Sequence, residues 1–526
     1  MAFDVVIKNC RIVDGTGSPE FEGEIGISDK KITVIDLSVS ERGAKTVIDA
    51  KGKIVCPGFI DITNHADTIG TLFLYPNQES MVAQGVTTII GGNCGSSLAP
   101  LLSPNDISTL QKWRTENIAT VDWLSLGEFL STIEKLKPGV NFGTLVGFGT
   151  LRRGILKNQN RLFAYEDFLK LKDTLSLALQ EGAFGLSTGL VYAHERTATT
   201  EELIDIASVL KKEGGIYKTH LRSESSNLFS AINEAISIGR GADVPVSVSH
   251  FKAIGRRSWK DFRRALGLME RVSADGVQIH FDVYPYITTG SFLYLLLPLG
   301  VYEGGFIALF KRLHDPIIRL DVIKTLKKQT LHYDTIIIST AWKTKYSIGK
   351  TIKQISESIG ISPEEVIVQL LLANEGRVTI FGRTVHPRNV QLALEHPLSM
   401  VVSDGCGYDL KHRETGERVH PRSFGAFPRF FRLATKKWGS LTIPEAIRRM
   451  TSVPAEIMGI KKRGILAKGN FADIVIFDPE EVRSLGTFED PYQYPQGILC
   501  VLVNGSVAIR DGIHQRPRAG MVIRKE

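Results

Sequence analysis

Cysteine is scarce in this chain, with five residues (Cys10, Cys56, Cys94, Cys406 and Cys500) among 526. An odd and sparse set builds no disulfide framework and fits a reducing cytoplasm. Long apolar runs are missing too. The most apolar stretch, around Tyr294 to Val301, is interrupted by Pro298 and falls well short of the ~20 residues that cross a bilayer. The opening Met-Ala-Phe-Asp-Val-Val-Ile-Lys-Asn-Cys lacks the basic-then-apolar order of a secretory signal. Strong charge of one sign is also absent. Lys and Arg number 64 against 56 Asp and Glu, a net of +8 with no long basic run. A nucleic-acid binder concentrates its charge in a patch or stripe. These absences lead to the expectation of a cytoplasmic protein with neither membrane nor nucleic-acid partners.

What is present is ordinary for a globular protein, with 43% hydrophobic and 23% charged residues. Residues 1–57 read as short strands and turns: Val5–Ile7, Arg11–Val13, Ile32–Ile35 and Thr46–Ile48, punctuated by Gly15, Gly17 and Gly52. The far end looks alike, with Ile474–Phe477, Val501–Val503 and Val507–Ile509, and an Asn504-Gly505 hairpin signal. We therefore expect residues 1–57 and 456–526 to form a small β-sandwich built from both ends of the chain. The middle, residues 58–455, alternates strand-like runs with helical stretches such as Asp167–Gln180, Glu201–Lys212, Phe229–Ile238 and Ser258–Val272. The clear runs are Phe59–Thr63, Thr87–Ile90, Gly143–Gly147, Ala183–Ser187, Gly215–His220, Val244–His250, Val277–Tyr284 and Ser399–Asp404. That alternation predicts an α/β fold with a parallel sheet, here a (β/α)8 barrel, though the pattern alone also admits a doubly wound open sheet. Two further runs, Thr335–Ile338 and Arg377–Phe381, are surplus. The first is assigned to an insertion at about 290–345. The second has no place in this scheme. The charged cluster Lys411–Arg418 reads as a solvated loop.

Several strand-like runs end in residue types that bind metals or move protons: His65, Cys94, His220, His250 and Asp404. In a barrel the C-terminal strand ends share one face, where the active site is built. Each residue has a plainer explanation. A strand-end His is often structural, a buried Cys is a small hydrophobe, and an Asp often begins a turn. Their joint occurrence is more telling than any one of them. A thiolate and two imidazoles suit Zn2+ with a place left open for water. Zinc lowers the pKa of bound water from about 15.7 towards about 7. A nearby carboxylate, Asp404, would accept the proton and hand it to a leaving amine. That chemistry is metal-assisted hydrolysis of an amide.

At these residues the chain resembles the amidohydrolase superfamily, and within it the D-aminoacylase (N-acyl-D-amino-acid deacylase) group. The carriers are Pro57-Gly-Phe-Ile-Asp61, Gln84-Gly-Val-Thr-Thr88, Gly92-Asn-Cys-Gly95, Gly185-Leu-Ser-Thr-Gly-Leu190, Thr219-His-Leu-Arg222, Ser249-His-Phe-Lys252 and Asp282-Val-Tyr-Pro-Tyr286. Further on come Ser403-Asp-Gly405, His420-Pro-Arg-Ser-Phe-Gly-Ala-Phe-Pro-Arg429, Met450-Thr-Ser-Val-Pro-Ala455 and Arg463-Gly-Ile-Leu-Ala-Lys-Gly-Asn-Phe-Ala-Asp473. The resemblance implies zinc held by Cys94, His220 and His250, with Asp404 as catalytic acid/base. It also implies that Lys252, Tyr284, Ser291 and Arg422 grip the carboxylate of a small N-acylated amino acid, a task suited to an Arg fork and a Lys point charge.

Two departures stand out. The group usually carries His-x-His after the first strand, whereas this chain has Thr63-Asn-His65. A neutral hydroxyl is a poor zinc ligand, so the expectation is one zinc per chain, with His65 free to hydrogen-bond water, substrate or Asp404. The second departure is Phe251, where the group commonly has another His. The leading expectation is hydrolysis of N-acyl-D-amino acids. A cyclic-amide hydrolase resembling dihydroorotases and hydantoinases is the alternative, although such relatives use a modified Lys that the fourth strand lacks. A barrel that has lost catalysis and serves as a scaffold is the third reading, motivated by Thr63.

Overall fold

The computed structural model describes residues 3–107, 121–157, 161–302, 305–329 and 331–526. Eight parallel strands form the centre. They are Phe59–Asp61, Val86–Gly91, a third that breaks at Leu145 into Asn141–Thr144 and Val146–Gly147, then Gly185–Gly189, Ile216–His220, Val246–Val248, Ile279–Val283 and Ser399–Val401. The first three pair in sequence order, and so do the second half of the third through to the eighth. A parallel bridge between Asn64 and Gly405 links the two ends and closes the barrel. Apart from the half-buried His220 and His280 the strands are buried, as expected for a parallel sheet covered by helices.

The helices outside the barrel follow from local sequence. In Thr200–Glu213 the Thr199 hydroxyl accepts from the Glu202 amide and Glu202 reaches back to the Thr199 amide, a capping box. Leu203, Ile206, Ala207 and Leu210 recur at helical spacing and are buried against the barrel. Gly214, at φ +67°, ends the helix in the left-handed region.

Strands from both ends of the chain join in one nine-stranded sheet. The seam is the antiparallel pairing of Ile54–Pro57 with Ile474–Phe477. This sheet has a core of its own, which includes Ile7, Ile25, Val55, Ile474 and Leu502.

A third sheet lies between the seventh and eighth barrel strands. Thr288–Phe292 and Ile336–Ala341 both pair antiparallel with a middle strand, Val378–Arg383. The surplus run Arg377–Phe381 thus supplies the centre of the insertion, which extends to Arg383 rather than ending near residue 345. Its separate apolar core contains Phe292, Leu293, Ile338 and Val378, and reaches Cys94 and Tyr192 at the barrel mouth. In the charged segment after Asp404, Lys411 and Arg413 are exposed, but His412 turns inward and meets the Tyr75 hydroxyl at 3.0 Å. No helix among the described residues is long and apolar enough to cross a membrane. All five cysteines are free and buried.

Candidate metal centre and active site

His65, Cys94, His220, His250 and Asp404 lie at or just beyond the C-terminal ends of the first, second, fifth, sixth and eighth barrel strands. Three of them, Cys94 (φ +53°), His250 (φ +38°) and Asp404 (φ +49°), adopt left-handed backbone that side chains other than glycine rarely take. Such conformations cost of order 1–3 kcal/mol each and persist where the surroundings impose them. Around Cys94 the constraint is visible. The Asp67 carboxylate accepts from the Gly92 amide at 2.7 Å, and the Asn93 side-chain amide donates to the Ile90 carbonyl at 2.8 Å. A Cβ on Gly92 would lie 2.0 Å from the Leu145 carbonyl oxygen, so only glycine permits the turn that presents Cys94.

One ligand atom from each of Cys94, His220 and His250 lies within 4.8 Å of the other two. Among the described residues, these three form the one such group of His, Cys, Asp or Glu. The Cys94 sulfur and His250 Nε2 are 3.4 Å apart, and the His220 and His250 rings meet edge to face at 4.4 Å. His220 Nδ1 is buried and makes no hydrogen bond. An orphaned buried nitrogen is costly unless something accepts its lone pair. This donor set therefore fits zinc in ligand type and in spacing.

Burial pushes His220 down to about 3, with His250 and Lys252 adding to the effect, so its imidazole is neutral and ready to ligate. Burial pushes the Cys94 thiol well up. Only a strong local cation would turn it into a thiolate.

Glu224 was not singled out from sequence, yet it organises this centre. One oxygen sits 3.1 Å from His250 Nδ1 and accepts from Lys252 Nζ at 2.6 Å; the other lies 3.7 Å from His220 Nε2. Burial works to raise its pKa, but Lys252, His220 and His250 outweigh burial and hold it at about 2. A carboxylate on the far nitrogen fixes a ligand imidazole's tautomer and ring orientation. The only signal in the sequence was its place four residues after His220.

Asp404 is buried between two partners. One oxygen is 3.1 Å from His65 Nε2 and the other 2.6 Å from Arg422 Nη1. Burial opposes its charge, but Arg422, His250 and His65 overcome this and hold it well below the usual carboxylate range.

Three of the four expected carboxylate-gripping residues, Arg422, Tyr284 and Lys252, are drawn together. The Arg422 guanidinium lies over the Tyr284 ring at 4.7 Å and Lys252 Nζ approaches the same ring at 5.8 Å. On the strand Thr288–Phe292 it is Gly290 that faces the guanidinium, a Cβ there lying 3.5 Å from Arg422 Nη2, and Ser291 is its neighbour on the opposite face. Arg422 Nε is buried and makes no hydrogen bond, while Nη1 faces the Asp404 carboxylate, so part of the fork stays open to an anion. Lys252, by contrast, has Glu224 as its close partner. His420 was also missed. Its Nδ1 accepts from the Arg422 amide at 3.1 Å, and its Nε2 donates to the Thr288 carbonyl at 3.0 Å, locking the Arg422 turn to the insertion.

A barrel closed at the strand ends by Cys, two His and an ion-paired Asp defines a metal-dependent hydrolase. Comparison with known proteins narrows the class. A model described as the amidohydrolase family matches residues 420–509. The N-acyl-D-aspartate deacylase of Alcaligenes xylosoxydans xylosoxydans is 32% identical, over 95% of this chain and 91% of its own. The D-aminoacylase of the same organism is 30% identical, over 99% and 97%. A solved D-aminoacylase, described by its binuclear metal center with one-metal activation and second-metal attenuation, superposes with a TM-score of 0.84 at 28% identity, covering 99% of this chain and all of the other. The N-acyl-D-glutamate deacylase from Bordetella bronchiseptica, complexed with zinc and a phosphonate mimic of the tetrahedral intermediate, gives 0.83 at 27% identity with full coverage of both. This chain belongs to the amidohydrolase family, in its D-aminoacylase group.

Proposed function

We propose that this enzyme uses one zinc ion to hydrolyse the amide bond of N-acyl-D-amino acids, releasing a carboxylate and a D-amino acid. The observation that carries the reading is Asp404, buried beside the Cys94, His220 and His250 cluster and bridging His65 to Arg422. When bound there, zinc supplies Lewis acidity and brings the pKa of a water near neutrality.

The chain's own residues do the rest. Glu224 orients the imidazoles of His250 and His220. The Arg422 fork takes the substrate's α-carboxylate, with Tyr284 beneath it and the strand that carries Ser291 beside it. Lys252 keeps that wall positive while it neutralises Glu224. In the free enzyme Arg422 also rests against Asp404. A substrate carboxylate competes for that guanidinium, and as the Arg422–Asp404 pair loosens, Asp404 becomes a better proton acceptor. Asp404 then takes the proton of the attacking water and delivers it to the amide nitrogen, while His65 holds its second oxygen. Free, buried cysteines fit a reducing compartment, and the cytoplasm is the location we propose.

The test is a panel of matched N-acyl-D- and N-acyl-L-amino acids, with hydantoin and dihydroorotate alongside. We expect turnover of the D series, weak or no turnover of the L series, and none of the cyclic amides. Preferred hydrolysis of a ring would move the assignment to a cyclic-amide hydrolase. No turnover of any compound by zinc-loaded protein would favour the scaffold reading.

A further inference from the structure

The layer of side chains one step deeper in the barrel carries an unexpected charge. Successive residues on a strand point to opposite faces, so positions two apart share a face. Thr63 precedes His65 by two, Lys218 precedes His220 by two, and Asp282 precedes Tyr284 by two. These three residues lie beneath the active site, Lys218 and Asp282 on the fifth and seventh strands and Thr63 two residues beyond the end of the first. A barrel layer takes its side chains from alternate strands and is usually filled with Val, Ile and Leu. Here all three residues are polar and completely buried.

The three converge on one carboxylate. Asp282 Oδ2 accepts from the Thr63 hydroxyl at 2.8 Å and pairs with Lys218 Nζ. Asp282 Oδ1 accepts from the His250 backbone amide at 2.6 Å. Both carboxylate oxygens and the Thr63 hydroxyl are thus committed within the protein. Lys218 and Asp282 also lie within electrostatic reach of the Cys94 sulfur. A buried ammonium is costly unless paired, and a cation arriving next to it would meet like charge at low dielectric.

We propose that Lys218 is a built-in cation standing in for a second metal ion: held by Asp282 and Thr63 beneath the Cys94 cluster, it supplies the positive charge there and limits the chain to one metal. The inference rests on the one-zinc reading above and adds its cause. The loss of a ligand at Thr63 is then only half of the change. Restoring the ligand without removing the ammonium does not restore the second ion.

The experiment measures zinc per chain by plasma mass spectrometry, after loading with excess zinc and desalting. It compares the wild type with Thr63→His, Thr63→His/Lys218→Met and Thr63→His/Lys218→Arg. We expect one zinc in the wild type, one in Thr63→His, two in the Met double variant and one in the Arg double variant, which keeps the charge. Two zincs in Thr63→His, one in the Met double variant, or two in the Arg double variant would each overturn the role of Lys218 while leaving the one-zinc reading intact. Two zincs in the wild type would instead overturn that reading itself. If a double variant does not fold, Thr63→His alone decides: one supports the proposal and two overturns it.

Discussion

At the scale of the residue, the site is a chain of charges in which each group is held by the next. In the proposed mechanism Asp404 is the end of that chain that meets the reacting bond. Asp404→Asn keeps the shape and removes the proton acceptor. We expect turnover to fall about 10²–10⁴-fold, the usual worth of general acid–base catalysis, with zinc content unchanged; a variant with wild-type kcat would remove Asp404 from the chemistry. Arg422→Met should raise KM about 10–100-fold for substrates with a free carboxylate, matching the roughly 1.5–3 kcal/mol of a charged hydrogen bond. The same variant should change little for the corresponding amides, and equal losses on both would place Arg422 outside the carboxylate pocket. Glu224→Gln breaks the support of His250 and leaves Lys252 without its partner. We expect zinc affinity to weaken by about 10–100-fold, as for other carboxylates behind ligand imidazoles, read by competition with a chelator. The clustering of Cys94, His220 and His250 and the position of Asp404 beside them were legible because each lies at or just beyond the end of a strand-like run. Glu224, Lys218 and Asp282 were not, because a buried charge has no signature until its partners are known.

At the scale of the element, the eight barrel strands were legible from their apolar runs, and the four singled-out helices fall within Tyr165–Gln180, Thr200–Glu213, Leu228–Ala242 and, for all but its first turn, Phe262–Ala274. The insertion was not. An apolar run of strand length looks the same whether it joins a parallel barrel or an antiparallel sheet. Val378–Arg383 could be placed only by its partners, Thr288–Phe292 and Ile336–Ala341. This sheet brings the Phe292 ring to 6.2 Å from that of Tyr192, which follows the fourth barrel strand at the barrel mouth. Phe292 is only 2% exposed. Phe292→Ala should cost about 3–5 kcal/mol, as for other buried rings, and the loss should fall first on the insertion because its core is separate. Limited proteolysis should then cut within residues 288–383 before the barrel is attacked, and KM should rise. Cleavage of barrel and insertion at the same rate would show that they unfold together.

At the scale of the whole molecule, the terminal β domain and the barrel are pinned by a buried polar knot. Asn141 on the third barrel strand donates to Asp473 Oδ2 at 3.0 Å, and the Asn504 side-chain amide donates back to Asn141 at 2.8 Å. Arg463 pairs with Asp473, and both are buried. Removing one member of a buried ion pair leaves an uncompensated charge and costs about 3–5 kcal/mol. Arg463→Met should therefore lower the denaturation midpoint clearly while leaving kcat of the folded enzyme near that of the wild type. An unchanged midpoint would show that the knot contributes nothing net.

The sequence by itself determined what depends on local periodicity and residue chemistry. That covers the alternation that makes a barrel, the strand-end Cys, His and Asp that fit zinc, and the likeness of the two chain ends. The tertiary structure decided what depends on approach between distant segments. It set the antiparallel order of the insertion, the Glu224 bridge between His250 and Lys252, the Arg422 clamp on Asp404 and the buried Lys218–Asp282–Thr63 layer. The physical reason is that periodicity is written within a few residues, whereas the energy of a buried charge depends on its counter-charge, which in this fold comes from a distant segment of the chain.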